Sequence, residues 1–304
     1  METFVRVVEA GSFSRAARQL NLGQSAVSKT IAQLEDRLGV RLLERSTRSL
    51  SVTEAGKRFY ERALHAIQEA NDAEAEARGT AGRLSGKLRV SASVCFARIH
   101  ILPKLPAFLA MHPKMDLEIV LDDRIIDVAK EGVDVALRAA AITDLSLTTK
   151  KVARSRTRVM ASTRYLDAHG APEGPADLAK HKSIARLRDG AKRSVVFRQG
   201  TSETTIQLRP QLRVSSTEGL REAVLADVGI AIISEWLFTP ELVSGAVRSV
   251  LDDWSLPELQ LWAVYAGRRP SARASAFVAF VEASMSAQAK TNGAERRLSV
   301  VRPS

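Results

Sequence analysis

The sequence predicts a mixed α+β chain in three successive parts: a small helical unit closed by a two-stranded hairpin, one long helix, and a larger α/β domain in two lobes. Three observations carry this reading. Near the N-terminus apolar residues recur at three- and four-residue spacing, the period of helices buried on one face. Residues 57–78 then run without proline or glycine. From Leu88 onward short β-prone runs alternate with helical stretches, the pattern of sheets covered by helices.

Composition narrows the function before any motif is read. With 304 residues the chain has room for about two domains. Its 45% hydrophobic and 26% charged residues are those of a folded globular protein. No stretch reaches the ~18 uninterrupted apolar residues of a membrane span, and the first residues lack a signal-peptide layout, so a cytoplasmic location and no membrane partner are expected. One cysteine, Cys95, excludes an internal disulfide framework, and no histidine pair has the i, i+4 spacing of a helical zinc site. Neither metal nor cofactor is expected. The net charge of +11 and the pI near 10.1 draw anionic partners, nucleic acid first and anionic lipid second.

The first unit gives that charge a shape. In Ser12–Leu20, Ser14 is expected to cap a helix whose apolar face is Ala16, Ala17 and Leu20. Asn21, Leu22 and Gly23 break it. A second helix is expected from Gln24 to Leu38, burying Ala26, Val27, Ile31, Leu34 and Leu38 and leaving Gln24, Ser25, Ser28 and Lys29 off the stripe. Two helices joined by a tight turn, the second with small polar and basic residues at its N-terminal end, form a helix-turn-helix. Lys29 can reach guanine or phosphate. Residues 40–53 then give two short strands around a basic tip, a wing, with Arg45 and Arg48 suited to a minor groove. Solvated arginines on a hairpin are the alternative.

Here the sequence resembles the LysR-type transcriptional regulators. The match runs through Phe4-Val5, Glu9 to Ser14, Ala16-Ala17, Leu20, Gln24 to Lys29, Ile31, Leu34-Glu35, Leu38 to Val40, Leu42-Leu43, Arg45 and Leu50 to Gly56. The resemblance implies a winged helix-turn-helix that binds double-stranded promoter DNA as a dimer. It assigns recognition-helix roles to Ser25, Ser28 and Lys29, wing roles to Thr47 and Arg48, and a phosphate contact to Thr53. Gly23 departs from the serine or threonine cap usual in the family, and members usually carry several residues ahead of the position of Met1.

Along residues 57–78 a narrow stripe of Tyr60, Ala63, Leu64 and Ile67 is too thin for a domain core and suits pairing with a second copy, with Tyr60, Leu64 and Ile67 as the dimerisation contacts. Packing on its own domain is the alternative. Residues 79–86 are glycine-rich and read as a hinge. The domains expected are 1–56 for DNA binding, 57–86 for linker helix and hinge, and 87–288 for effector binding. Within the last, lobe 1 takes about 87–161 and 266–288 and lobe 2 about 162–265; residues 289–304 are expected as a mobile tail. Strands are expected at 88–92, 117–121, 133–137, 184–187, 212–215, 230–233 and 259–265. The family resemblance implies a periplasmic-binding-protein-like effector domain and assembly into a homodimer and homotetramer.

In open α/β sheets ligands bind beyond the carboxyl ends of strands. That rule selects Ser93, Cys95, Phe96, Arg138, Ser215, Thr217 and Ile233 as effector contacts, a mixture of hydroxyls, one cation and apolar wall that suits a small organic anion. Each serine is equally a helix cap, and Arg138 or Arg98 equally a partner of a nearby carboxylate. Cys95 is either a redox sensor or a small buried filler. No nucleophile elbow, phosphate-binding loop or dinucleotide fingerprint is present, so a regulator is expected and not an enzyme. A redox-responsive regulator and a non-sensing architectural DNA-binding protein are the alternatives.

Overall fold

The computed structural model describes residues 1–45, 50–77, 84–124, 126–128, 130–139, 147–190, 192–267 and 269–299. The chain forms two compact units, Met1–Gly86 and Lys87–Ser304.

In the first unit, helix α1 (Glu2–Ala10) is stopped by Gly11 in the left-handed region. Helix α2 (Phe13–Gln19) starts after Ser12, so Ser12 holds the N-cap position expected for Ser14, whose hydroxyl lies 2.9 Å from that of Ser12. Helix α3 spans Gln24–Leu38, the predicted bounds, and Gly39 ends it at φ 66°. Phe4, Val7, Ala16, Ala17, Val27, Ile31, Leu34, Leu42 and Leu43 make the core. Two residues of the expected stripe are exposed: Ala26 sits one position, about 100° of turn, from Val27, and Leu38 lies past the end of the core.

Strands β1 (Leu43–Arg45) and β2 (Leu50–Val52) pair antiparallel with Leu43 opposite Val52, forming the wing base. Helix α4 (Glu54–Ala77) begins three residues earlier than predicted because Thr53 caps it, its Oγ1 accepting the Gly56 N–H at 2.9 Å. A Cβ on Gly56 would lie 2.1 Å from the Leu42 carbonyl, so only glycine lets α4 approach the wing. Phe59, stacked edge-on to Phe4 at 5.4 Å, and Tyr60 pack on the core, and Ala63 is buried. Tyr60, half-buried, therefore packs on its own domain, the alternative left open by the sequence, while Leu64 and Ile67, also half-buried, lie outside that cluster. Most of the expected hinge, residues 79–83, lies outside the described residues; Ser85 and Gly86 open the next strand.

The second unit holds two five-stranded sheets. Lobe 1 has β3 (Ser85–Ala92), β4 (Lys114–Leu121), β5 (Val135–Ala139), β6 (Thr148–Ser155) and β14 (Leu259–Tyr265), in the order β4-β3-β5-β14-β6. Lobe 2 has β7 (Thr157–Ser162), β8 (Ser183–Arg186), β11 (Leu212–Val214), β12 (Ile230–Ser234) and β13 (Val247–Val250), in the order β11-β8-β12-β7-β13. A hairpin of β9 (Arg193–Gln199) and β10 (Ser202–Leu208) flanks lobe 2. The chain thus crosses at Arg156 and again within 251–258, not near 161 and 266 as predicted: Thr157–Ser162 belongs to lobe 2 and Leu259–Tyr265 to lobe 1. The crossing is easily missed because β6 and β7 form nearly one extended run with no glycine or proline at the break.

Three short turns follow β3: α5 (Val94–Phe96), a π-turn (Ala97–Ile101) and a 3-10 turn (Leu102–Lys104), leading into α6 (Leu105–Met111). Val94–Met111 is long and apolar enough by composition to cross a membrane, but it includes Arg98, Lys104 and two prolines, and Ala97, Ile101 and Phe108 are fully buried in the fold. Lobe 2 carries α7 (Thr163–His169), α8 (Thr217–Leu225) and α9 (Thr239–Ser244). Along β12, Ile230 and Ile232 face one apolar cluster and Ala231 and Ile233 the other, as the two-residue period of a strand covered on both faces requires. Helix α10 runs Ala272–Ser299, so the irregular tail expected from residue 289 is helical as far as Ser299; alanine, glutamate, arginine and leucine there favour helix, and no proline intervenes before Pro303.

Candidate functional site

Gln24, Ser25 and Lys29 are exposed on the N-terminal half of α3, and Ser28 is half-buried beside them. Lys29 has no ion-pair partner among the described residues, leaving its charge available to a phosphate or a base edge. The Arg45 backbone is in β1; its side chain, and Thr47 and Arg48 at the wing tip, lie outside the described residues.

Thr53 is differently placed from its expected role. Its hydroxyl donates toward the Arg41 carbonyl at 2.9 Å while accepting from Gly56, so its single proton is already used. Glu35, which the sequence reading passed over, is 8% exposed and accepts the N–H groups of Leu42 and Leu43 at 2.7 and 2.9 Å. It fixes the wing to the recognition helix.

Between the lobes lies a cavity of about 140 Å³. Ser93, Phe96, Arg138, Thr217 and Ile233 of the seven predicted contacts line it, from strand ends of both lobes. Cys95 and Ser215 do not. Cys95 is fully buried, packed with Met160, Leu220, Val224 and Ile233. Burial pushes its thiol far above the ordinary value, and a hydrogen bond with Glu218 pushes it further, so the thiolate a redox sensor needs is suppressed. Ser215 is exposed outside the cavity. Two serines do cap helices: Ser93 accepts from Phe96 N–H at 3.4 Å, and Ser216 accepts from Gly219 N–H at 2.9 Å at the start of α8.

The cavity wall is strongly basic. Among the described residues that line it, Arg124, Arg138, Arg186, Arg188 and Arg193 stand with two acids, Asp122 and Asp123. Three of the five are engaged: Arg124 with Asp122 at 2.6 Å, and Arg186 and Arg193 with Asp189 at 3.2 and 3.7 Å. Arg138 donates to the Ser91 hydroxyl at 3.2 Å and has no carboxylate partner among the described residues, nor has Arg188. Burial pushes the Arg138 guanidinium down from its ordinary value, with Asp122, Glu131 and Asp123 acting against that. Arg98 instead pairs with Glu218 at 2.8 Å, the structural alternative left open by the sequence. Phe96 and Trp236, ring centres 5.6 Å apart, give the apolar wall, with buried His100 packed against both, tilted to Phe96 and edge-on to Trp236, and its Nε2 2.8 Å from the Trp236 carbonyl oxygen. Asp122 and Asp123 follow the end of β4, Arg186 and Arg188 lie at and after the end of β8, and Trp236 follows β12; the strand-end pattern is the sequence signal for all five.

Comparisons with known proteins place both parts of the chain in one family. Residues 1–57 match the family of bacterial regulatory helix-turn-helix proteins of the lysR family, and residues 81–286 match the LysR substrate binding domain. The transcriptional regulator CrgA of Neisseria meningitidis is 36% identical over 253 residues, 83% of this chain and 84% of that protein. A transcriptional repressor of Pseudomonas aeruginosa is 30% identical over 284 residues, covering 92% and 90%. The CrgA structure superposes with a TM-score of 0.60 at 32% identity, covering 92% of this chain and 96% of the other. With a helix-turn-helix, a two-lobed α/β domain and relatives of this kind along nearly its whole length, the chain belongs to the LysR-type transcriptional regulators.

Proposed function

We propose that this regulator reads promoter DNA in a sequence-specific way through α3, with Gln24, Ser25, Ser28 and Lys29 in the major groove and the wing arginines Arg45 and Arg48 in the minor groove. A small organic anion bound between the lobes controls it. The observation that carries the effector assignment is the wall of the cavity, where Arg138 and Arg188 stand beside an aromatic surface with no ion pair among the described residues. The volume is below the ~300–1,000 Å³ of a drug-sized site, which suits a small acid.

The regulator acts in the cytoplasm as a homodimer or homotetramer, with Leu64 and Ile67 of α4 making one contact between copies. Effector binding changes DNA affinity only through different affinities for two arrangements of the protein. The test has two parts. Selection of binding sites from randomised DNA should yield one operator motif, bound with steep salt dependence. Titration of small carboxylates against the protein–operator complex should then shift affinity. Binding to all sequences alike would favour an architectural role instead.

A further inference from the structure

The cleft already holds a carboxylate of its own. Asp123 follows β4 in lobe 1, and its Oδ2 accepts the backbone N–H of Thr217, the first residue of α8 in lobe 2, at 2.6 Å. Its Oδ1 is buried and has no hydrogen-bond partner among the described residues. The Ser216 hydroxyl accepts a different donor of the same first turn, the Gly219 N–H at 2.9 Å, so α8 keeps a side-chain cap when Asp123 leaves. Around this carboxylate stand the two arginines of the wall without an ion pair among the described residues, Arg138 from lobe 1 and Arg188 from lobe 2, and Asp123 favours the charged form of both. The other arginines of the wall are engaged: Arg124 with Asp122, and Arg186 and Arg193 sharing Asp189.

A half-satisfied carboxylate, two guanidinium groups with no carboxylate partner among the described residues and a helix N-terminus therefore converge on one cavity from both lobes. We infer that Asp123 is a resident stand-in for the carboxylate of the effector, held in the anion position at the first turn of α8 until an incoming acid displaces it. The inference rests on the cleft being the effector site and adds the recognised group, a carboxylate, and what it competes with. Displacement breaks the Asp123–Thr217 tie between the lobes, so occupancy of the cleft and the angle of the lobes change together. Arg138 and Arg188, one from each lobe, then close on the acid with their charges.

Chemical rescue tests this without knowledge of the natural effector. In full-length Asp123→Ala, sodium formate should raise the thermal midpoint in a saturable way, beyond sodium chloride of equal ionic strength, and should do so far less in the parent. Adding Arg138→Gln and Arg188→Gln should abolish the rescue. Formate acting equally on parent and variant, or rescue that survives loss of both arginines, overturns the inference. Should Asp123→Ala not fold, the near-isosteric Asp123→Asn keeps the question decidable. By calorimetry benzoate should bind it at least about tenfold more tightly than the parent, since a competing charge has been removed; benzoate that binds neither protein, or both equally, overturns the inference. Operator binding by the parent, measured without added acid, reports on the regulatory reading separately.

Discussion

Glu35 and Leu42 meet inside the DNA-binding unit, the carboxylate Oε1 on α3 accepting the Leu42 N–H at 2.7 Å and, from the same atom, the Leu43 N–H at 2.9 Å. Glu35→Ala leaves two buried donors without an acceptor and should cost about 2–4 kcal/mol, at ~1–3 kcal/mol for each unsatisfied group and some relaxation. Glu35→Gln keeps an acceptor oxygen and should cost less. Urea unfolding of the two variants measures the difference, and equal losses would mean that the charge, not the hydrogen bonds, holds the wing.

How far the sequence discloses this structure depends on what each residue shows on its own. Helix α3 was legible to its exact bounds because Val27, Ile31 and Leu34 repeat at helical spacing and Gly39 stops them. Glu35 was not, since a glutamate in an amphipathic helix looks solvated unless the strand it caps is known. Strand β6 was hidden by Lys150, Lys151 and Arg154, charges that read as an exposed face; Lys150 in fact pairs with Glu282 on α10 at 2.7 Å. The hairpin of β9 and β10 did carry alternation, with Val195 and Phe197 buried, but Arg193 and Arg198 beside them blurred it. In the cleft, strand ends were the legible part, and the Asp123–Thr217 hydrogen bond was not, because it joins residues 94 positions apart on different lobes.

Lys29 is exposed and has no ion-pair partner among the described residues, so Lys29→Ala should act on DNA and not on folding. If Lys29 reads a base, operator affinity falls by about 1–3 kcal/mol while non-specific binding is little changed. If it meets phosphate, all sequences weaken alike and the salt slope drops by about one unit. Fluorescence anisotropy on operator and scrambled DNA at several salt concentrations separates the two, and unchanged binding on both would remove Lys29 from the interface.

The split along α4 predicts two different phenotypes from one helix. Tyr60 packs with Phe59 and Ala63 on the DNA-binding core, so Tyr60→Asp should lower the unfolding midpoint. Leu64→Asp with Ile67→Asp, outside that cluster, should leave the fold intact and yield smaller particles by light scattering. Operator binding should fall with the mass, because half-sites are held by a dimer. A mass equal to the parent's would move assembly to another surface.

Cys95 should be inert in the folded protein. Burial and Glu218 hold its thiol protonated, so a thiol reagent should label it only on unfolding, and peroxide should not alter operator binding. The same shift has a pH signature. An unfolded thiol loses its proton near pH 8.5, whereas the folded one retains it. Above that pH the unfolded state binds fewer protons, and this group's contribution to stability falls by up to about 1.4 kcal/mol per pH unit. Cys95→Ala should remove that part of the slope between about pH 9 and 11, read as the difference from the parent in denaturant unfolding. Labelling of the native protein at neutral pH would contradict the burial and reopen the redox alternative.

Ser215 and Thr217 stand two residues apart at the entry to α8, yet only Thr217 lines the cavity, and this makes them a matched pair for locating the effector. An acid that raises stability by ~2.7 kcal/mol at one hundred times its dissociation constant gives a clear thermal shift to follow. Ser215→Leu places bulk on the outside and should leave that shift as it is. Thr217→Leu puts a larger side chain into a space of about 140 Å³, beside the N–H that Asp123 now occupies, and should remove most of it. Ser93→Leu, from the opposite lobe, should do the same, because a ligand held between lobes is excluded by bulk on either wall. Loss of the shift in Thr217→Leu alone would place the acid on α8 without lobe 1, and the lobes would then not be coupled by its binding. Retention of the shift in both Thr217→Leu and Ser93→Leu would place it outside the cleft altogether.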